Sequence, residues 1–167
     1  SKPAQVMASW ARLGWPMQIV EPLPVTEAQL CLAHDSDMVR GVLSCEKANG
    51  FSNRNSKVAD SLPYTSGAML SAARQALENG CGAIAPCSGF HHAGFDFVGG
   101  FCTFNGLMVT AQVLLKEGKV KRVGILDFDQ HWGDGTADII DRLNLDSQIV
   151  HYSPCLDYGR PQKAEAF

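Results

Sequence analysis

The sequence predicts an α/β fold in three layers, a parallel sheet with helices on both faces, and three observations carry that expectation. Segments with helical apolar spacing alternate with short, almost wholly apolar runs, and a strand buried on both faces reads as such a run. The alternation continues from Thr65 to Tyr152 without an internal repeat or a linker. The residues richest in chemistry follow directly on two of the apolar runs, where open parallel sheets bind their ligands.

The elements follow in order. Residues 3–13 have helical spacing and stop at Gly14 and Pro16. A short apolar run at 17–20 is broken by Pro22 and Pro24. Thr26 is placed to cap a short helix through Leu32, with Glu27 in its first turn, and Asp35 to cap another whose Met38, Val39, Val42 and Leu43 share a face. Residues 46–63 are polar, rich in Asn and Ser and without a period, which predicts a long surface loop. A helix is expected over 66–79, with Met69, Leu70, Ala73 and Leu77 along one face and Gly80 closing it. Residues 81–85 read as a short buried strand, and a glycine-rich loop then runs to Gly100. A helix over 104–116, a strand within 121–128, a helix over 136–143 and a strand over 148–152 complete the pattern.

Composition narrows the function classes. The 167 residues suit a single domain, 1–167, and 46% hydrophobic with 19% charged residues describes an ordinary globular chain. A net charge of -3 gives no electrostatic grip on nucleic acid or anionic membrane, and the basic cluster at 116–122 reads as a solvated helix end. No apolar stretch reaches the roughly 20 residues a bilayer span needs. Ser1-Lys2-Pro3 has neither signal-peptide nor transit-peptide character, so the expected compartment is cytoplasmic. The six cysteines form no CxxC pair and read as reduced, mostly buried thiols.

The densest chemistry lies in Asp127-Phe128-Asp129-Gln130-His131-Trp132-Gly133-Asp134-Gly135. Strand residues i and i+2 project to one face, so Asp127 and Asp129 point together and His131 continues the parity. Aspartate oxygen and histidine nitrogen suit zinc, whose catalytic sites take three protein ligands and keep a position open. Three carboxylates within eight residues repel one another unless a cation or histidines stand among them. Without a metal, the stretch is a polar turn that Gly133 and Gly135 allow to bend.

Gly89-Phe90-His91-His92-Ala93 is the second feature. Adjacent loop histidines diverge, so they suit separate acid–base roles better than joint ligation, and each then needs a carboxylate behind it. Asp127 and Asp134 are available for that. Alone, the two histidines also suit surface or capping positions; the combination with the aspartate motif is what points to chemistry. Gly99-Gly100-Phe101-Cys102 is the third, with glycines that permit close backbone approach and an aromatic able either to wall an apolar channel or to sit in the core.

In this order the three motifs resemble the histone deacetylase and acetylpolyamine amidohydrolase superfamily, closely from about Ala85 to Thr136, and Leu32-Ala33-His34-Asp35 resembles its lead-in to an early helix. The resemblance implies an arginase/deacetylase-like α/β fold, zinc, and hydrolysis of an acetyl amide on a lysine side chain or polyamine by a metal-activated water and a histidine pair. By position it implies that Asp129 and His131 are two of three zinc ligands. His91 and His92 match the histidine pair, Asp127 and Asp134 the carboxylates bonded to it, and Gly100 and Phe101 one wall of the substrate tunnel. Asp127, with the backbone carbonyls of Asp129 and His131 and a contribution from Ser153, matches an inner potassium site. Trp132 stands where many relatives have histidine.

No residue matches the third zinc ligand or the oxyanion-stabilising tyrosine of the family, since Asp157, Tyr158 and Tyr64 lack the surrounding motif. The opening strand and second tunnel wall are likewise unmatched, so the resemblance implies a partial domain. A catalytically silent deacetylase-like module that binds metal or a partner is therefore the alternative reading, and an open sheet edge would favour a homo-oligomer. An arginase-like manganese ureohydrolase expects a different Asp-His pattern, and no phosphate-cradling GxxxxGK[ST] or GxGxxG is present.

Overall fold

The computed structural model describes residues 2–14 and 16–154, so Asp157 and Tyr158 lie outside the described residues. Helix α1 spans Lys2–Arg12. Helix α2, Glu27–Leu30, starts at a capping box in which Thr26 Oγ1 accepts from Gln29 N–H and Gln29 Oε1 accepts from Thr26 N–H. Asp35 accepts from the N–H groups of Asp37 and Met38 and so opens α3, Ser36–Leu43, which buries Met38, Val39 and Val42.

Helix α4 corrects the sequence reading. It runs from Ser56 to Asn79, so the loop expected over 46–63 ends at Asn55, which caps the helix. Pro63 lies inside α4. A proline removes one rung without ending a helix if packing holds the remainder, and here Ala59, Leu62, Ser66, Gly67 and Leu70 form one buried face. The Pro63 carbonyl also accepts from Val25 N–H at 3.1 Å, and a side chain at Gly67 would come within 2.0 Å of the Leu23 carbonyl. The polar Ser56, Asp60 and Ser61 that suggested a loop are the solvent side of this helix.

Residues 81–85 form no strand either; they are exposed or half-exposed, with Ile84 68% accessible. A buried strand needs a ladder neighbour, and among the described residues the sheet consists of two strands, β1 (Val123–Leu126) and β2 (Ile149–Tyr152). These pair in parallel from Val123↔Ile149 to Leu126↔Tyr152, as the apolar runs predicted, and α6 (Asp134–Leu143) makes the crossover. The described elements cover the sheet face that carries Ile125 and Ile149, and leave Gly124, Leu126 and Val150 of the other face exposed. Of the described cysteines only Cys102 is buried, so the thiols are free but mostly half-exposed.

The core centres on α5, Gly106–Lys116, whose Met108, Val109, Ala111, Val113 and Leu114 pack with Leu30, Val39, Ile125 and Ile139. No described helix is long and apolar enough to cross a membrane.

Three polar side chains inside this core hold the loop that carries the paired histidines. His34, Asn105 and Thr136 are all essentially inaccessible to solvent. His34 Nδ1–H donates to the Gly94 carbonyl at 2.8 Å, which leaves Nε2 to accept from Asn105 N–H, also at 2.8 Å. The Asn105 amide donates to the Ala93 carbonyl and to Thr136 Oγ1, and its oxygen caps α5. Thr136 N–H donates to the His91 carbonyl, and Asp35 N–H to that of Phe95. The loop carbonyls at 91, 93, 94 and 95 are thus each fastened to a helix end.

Burial pushes His34 down from 6.5 to about 4, and protonating Nε2 would also turn the acceptor of Asn105 N–H into a second donor. Between pH 6.5 and 4 the unfolded chain binds a proton that the folded chain refuses. Stability is therefore complete above that window and declines as pH falls through it, by about 3 kcal/mol. Urea unfolding across this range should show the decline in the wild type and a shallower one in His34→Gln.

Candidate active site

The backbone leaving β1 is folded by its own carboxylates. Asp127 N–H donates to the Tyr152 carbonyl and extends the ladder by one residue. Asp127 Oδ1 accepts from Asp129 N–H at 3.0 Å, and Asp129 Oδ1 accepts from His131 N–H at 2.8 Å. Two successive Asx turns thereby bring Asp127, Asp129 and His131 round the end of the strand. The chain reaches α6 through Gly133, whose N–H donates to Ser153 Oγ at 3.2 Å.

Both glycines of this motif are steric requirements. A Cβ at Gly135 would lie 2.4 Å from the Ala93 carbonyl carbon, so α6 begins in direct contact with the histidine loop. A Cβ at Gly133 would lie 2.6 Å from Asp127 Oδ2 and 3.0 Å from the His151 ring.

That close approach forms two parallel pairs. His91 Nδ1–H donates to Asp127 Oδ2 at 2.7 Å, and His92 Nδ1–H to Asp134 Oδ1 at 2.6 Å. The two rings are 4.1 Å apart, and the His131 ring is 5.9 Å from that of His92. The pairs differ in access to water: the His91 and Asp127 side chains are 11% and 9% exposed, those of His92 and Asp134 23% and 54%.

Asp129 and His131 are open to solvent, and His131 Nδ1–H donates to Asp129 Oδ1 at 2.8 Å. The His131 backbone N–H, and after it the ring, hold the Asp129 carboxyl below its ordinary value and keep it ionised. An oxygen and a nitrogen donor side by side match zinc's preferences. They are two donors where a catalytic site takes three, and among the described residues no group of three or more His, Cys, Asp or Glu side chains is arranged to hold a metal ion. Both Asp127 oxygens and Ser153 Oγ accept one hydrogen bond each, and the His151 ring lies beside the same carboxylate.

Gly100 and Phe101 flank the histidines. Gly99 and Cys102 exchange backbone hydrogen bonds, and the turn between them places both central residues at positive φ, +54° at Gly100 and +63° at Phe101. A Cβ on Gly100 would lie 2.3 Å from the His92 ring. The Phe101 side chain projects into solvent, 72% accessible, with the Phe51 ring 6.0 Å away. Tyr64 is an exposed residue of α4.

Sequence reasoning missed the roles of His34, Asn105 and Thr136, and it missed His151. Strand parity was the available signal: His151 is opposite Ile125, on the face that Asp127 continues. Its Nε2 is 3.9 Å from Asp127 Oδ2, and burial lowers its pKa.

The histone deacetylase domain profile matches residues 3–156. Acetylpolyamine amidohydrolase 2 of Pseudomonas aeruginosa is 44% identical over 69 residues, 41% of this chain and 20% of that protein. Acetoin utilization protein AcuC of Staphylococcus aureus (strain MSSA476) is 34% identical over 143 residues, 75% of this chain and 36% of its own length. The solved acetylpolyamine aminohydrolase of Burkholderia pseudomallei superposes with a TM-score of 0.67 at 22% identity, covering 95% of this chain and 56% of its own, which shows a shared fold. The chain thus spans well under two thirds of these relatives. With the fold, the histidine pairs and the profile in agreement, the chain belongs to the histone deacetylase domain family.

Proposed function

We propose that this chain carries the proton-transfer pair and two zinc ligands of an amidohydrolase that removes acetyl groups from acetyl-lysine or acetylpolyamine amides. The observation that carries the reading is the backing of two adjacent histidines by two carboxylates, at 2.7 and 2.6 Å, beside Asp129 and His131. The name of the Pseudomonas relative supports acetylpolyamines within that substrate class.

Asp129 and His131 would hold zinc, which when bound supplies a Lewis acid that polarises the acetyl carbonyl. With Nδ1–H committed to a carboxylate, His91 and His92 each keep Nε2 as the basic nitrogen, and the negative charge behind the ring steadies the imidazolium once it forms. Water adding to the acetyl carbon gives a proton to Nε2 of the pair. The amine takes a proton from the pair as the C–N bond breaks, so the products are acetate and a free amine. Phe101 presents an apolar surface to the aliphatic stem of the substrate, and the Gly100 backbone, packed against the His92 ring, adjoins that stem.

A second reading has its own observation: the described residues offer two zinc donors and no third. On that reading residues 1–167 are a deacetylase-like module that is silent by itself. Metal analysis of the whole protein tests the zinc site, and turnover separates the enzyme from a silent module that binds metal. The enzyme reading expects about one zinc per chain, lost in the Asp129→Ala/His131→Ala double variant; no zinc in either protein favours the silent module.

Steady-state hydrolysis of an acetylated polyamine and an acetyl-lysine peptide by the whole protein is the direct test. His91→Ala and His92→Ala should each lower kcat by roughly 10²- to 10⁴-fold. Wild-type turnover no higher than that of the variants would overturn the proposal.

A further inference from the structure

We infer that His151 is a positioning residue for the His91–Asp127 pair, its Nε2–H directed at the same carboxylate oxygen that receives His91. The inference rests on the reading of that pair as a proton-transfer group.

Asp127 is a buried carboxylate with one backbone donor on Oδ1 and His91 on Oδ2. Oδ2 has room for a second donor, since a carboxylate oxygen carries two lone pairs. His151 reaches it from β2, because the parallel register sets His151 opposite Ile125 and thus on the face where Asp127 emerges. Its Nε2 is buried, has no hydrogen-bond partner, and lies 3.9 Å from Oδ2. That separation is about 1 Å longer than an N–H···O bond, a gap a small tilt of the ring closes.

The surroundings favour that closure. The Trp132 ring lies 5.7 Å from His151 on one side, and Gly133 occupies the wedge between ring and carboxylate, where any larger residue would force the two apart. A bare Nε2 lone pair facing the carboxylate would be repelled, whereas an N–H there is attracted, so the site selects the tautomer protonated on Nε2. Asp127 is then gripped by one imidazole from the histidine loop and one from β2, and His91 inherits its orientation from a carboxylate that cannot turn.

Nuclear magnetic resonance of the chain labelled with ¹⁵N-histidine tests this at pH 7.5 without any turnover. His151 Nε2 should show the ¹⁵N shift of a protonated ring nitrogen; the shift of an unprotonated nitrogen overturns the inference, even if every variant fails to fold. The His91 Nδ1–H proton should appear downfield in the wild type and in His151→Gln, which keeps an N–H donor at similar reach. In His151→Leu, which fills the space without a donor, its exchange with water should be at least fivefold faster while methyl dispersion is unchanged. An exchange rate in folded His151→Leu equal to that of the wild type also overturns it. Neither readout depends on hydrolysis, so failure of the deacetylase reading and failure of this inference are separately visible.

Discussion

A histidine pair on a loop is useful only if the loop has one conformation, and here that depends on polar groups buried beneath it. His34, Asn105 and Thr136 are removed from water, and the hydrogen bonds among them also take up the carbonyls of the histidine loop. A buried network of this kind is costly if any member lacks a partner and specific if all are satisfied. The same residues tie three helix ends together: α3 begins after His34, α5 is capped by Asn105, and Thr136 lies in the first turn of α6. The helix packing and the position of the histidines are therefore set by one set of contacts.

From that base the site is assembled by proximity. The carboxylates come from the end of β1 and the start of α6, and the histidines from a segment 36 and 42 residues earlier. Only the lack of side chains at Gly133 and Gly135 lets these pieces meet at hydrogen-bonding distance. The result is an inner pair shielded from water beside an outer pair in contact with it, two chemically similar groups in different dielectric surroundings.

The sequence was most informative where local rules and chemistry coincide. Thr26, Asp35 and Gly80 marked helix ends because capping depends on a few adjacent residues, and Asp127 and Asp134 stood out as carboxylates near His91 and His92, but which histidine each meets is visible only in the fold. It misled where tertiary context decides. Pro63 and its polar neighbours read as loop, since the face that holds α4 together is visible only once Gly67 lies against the 22–25 segment. Residues 81–85 have a strand's composition, but composition does not supply a ladder partner. His151 was invisible for a related reason: parity orients a side chain, but strand order decides which carboxylate it meets.

The left-handed turn at Gly100 and Phe101 limits how this protein can evolve. At a φ of +63° a β-branched residue is strained, so position 101 can exchange Phe for unbranched side chains far more readily than for Val, Ile or Thr. Position 100 has no latitude at all, because the His92 ring fills the space a side chain would need. The surface this turn presents to solvent can therefore drift through the length and polarity of the side chain at 101, along a narrow set of residues, while the backbone that presents it stays as it is.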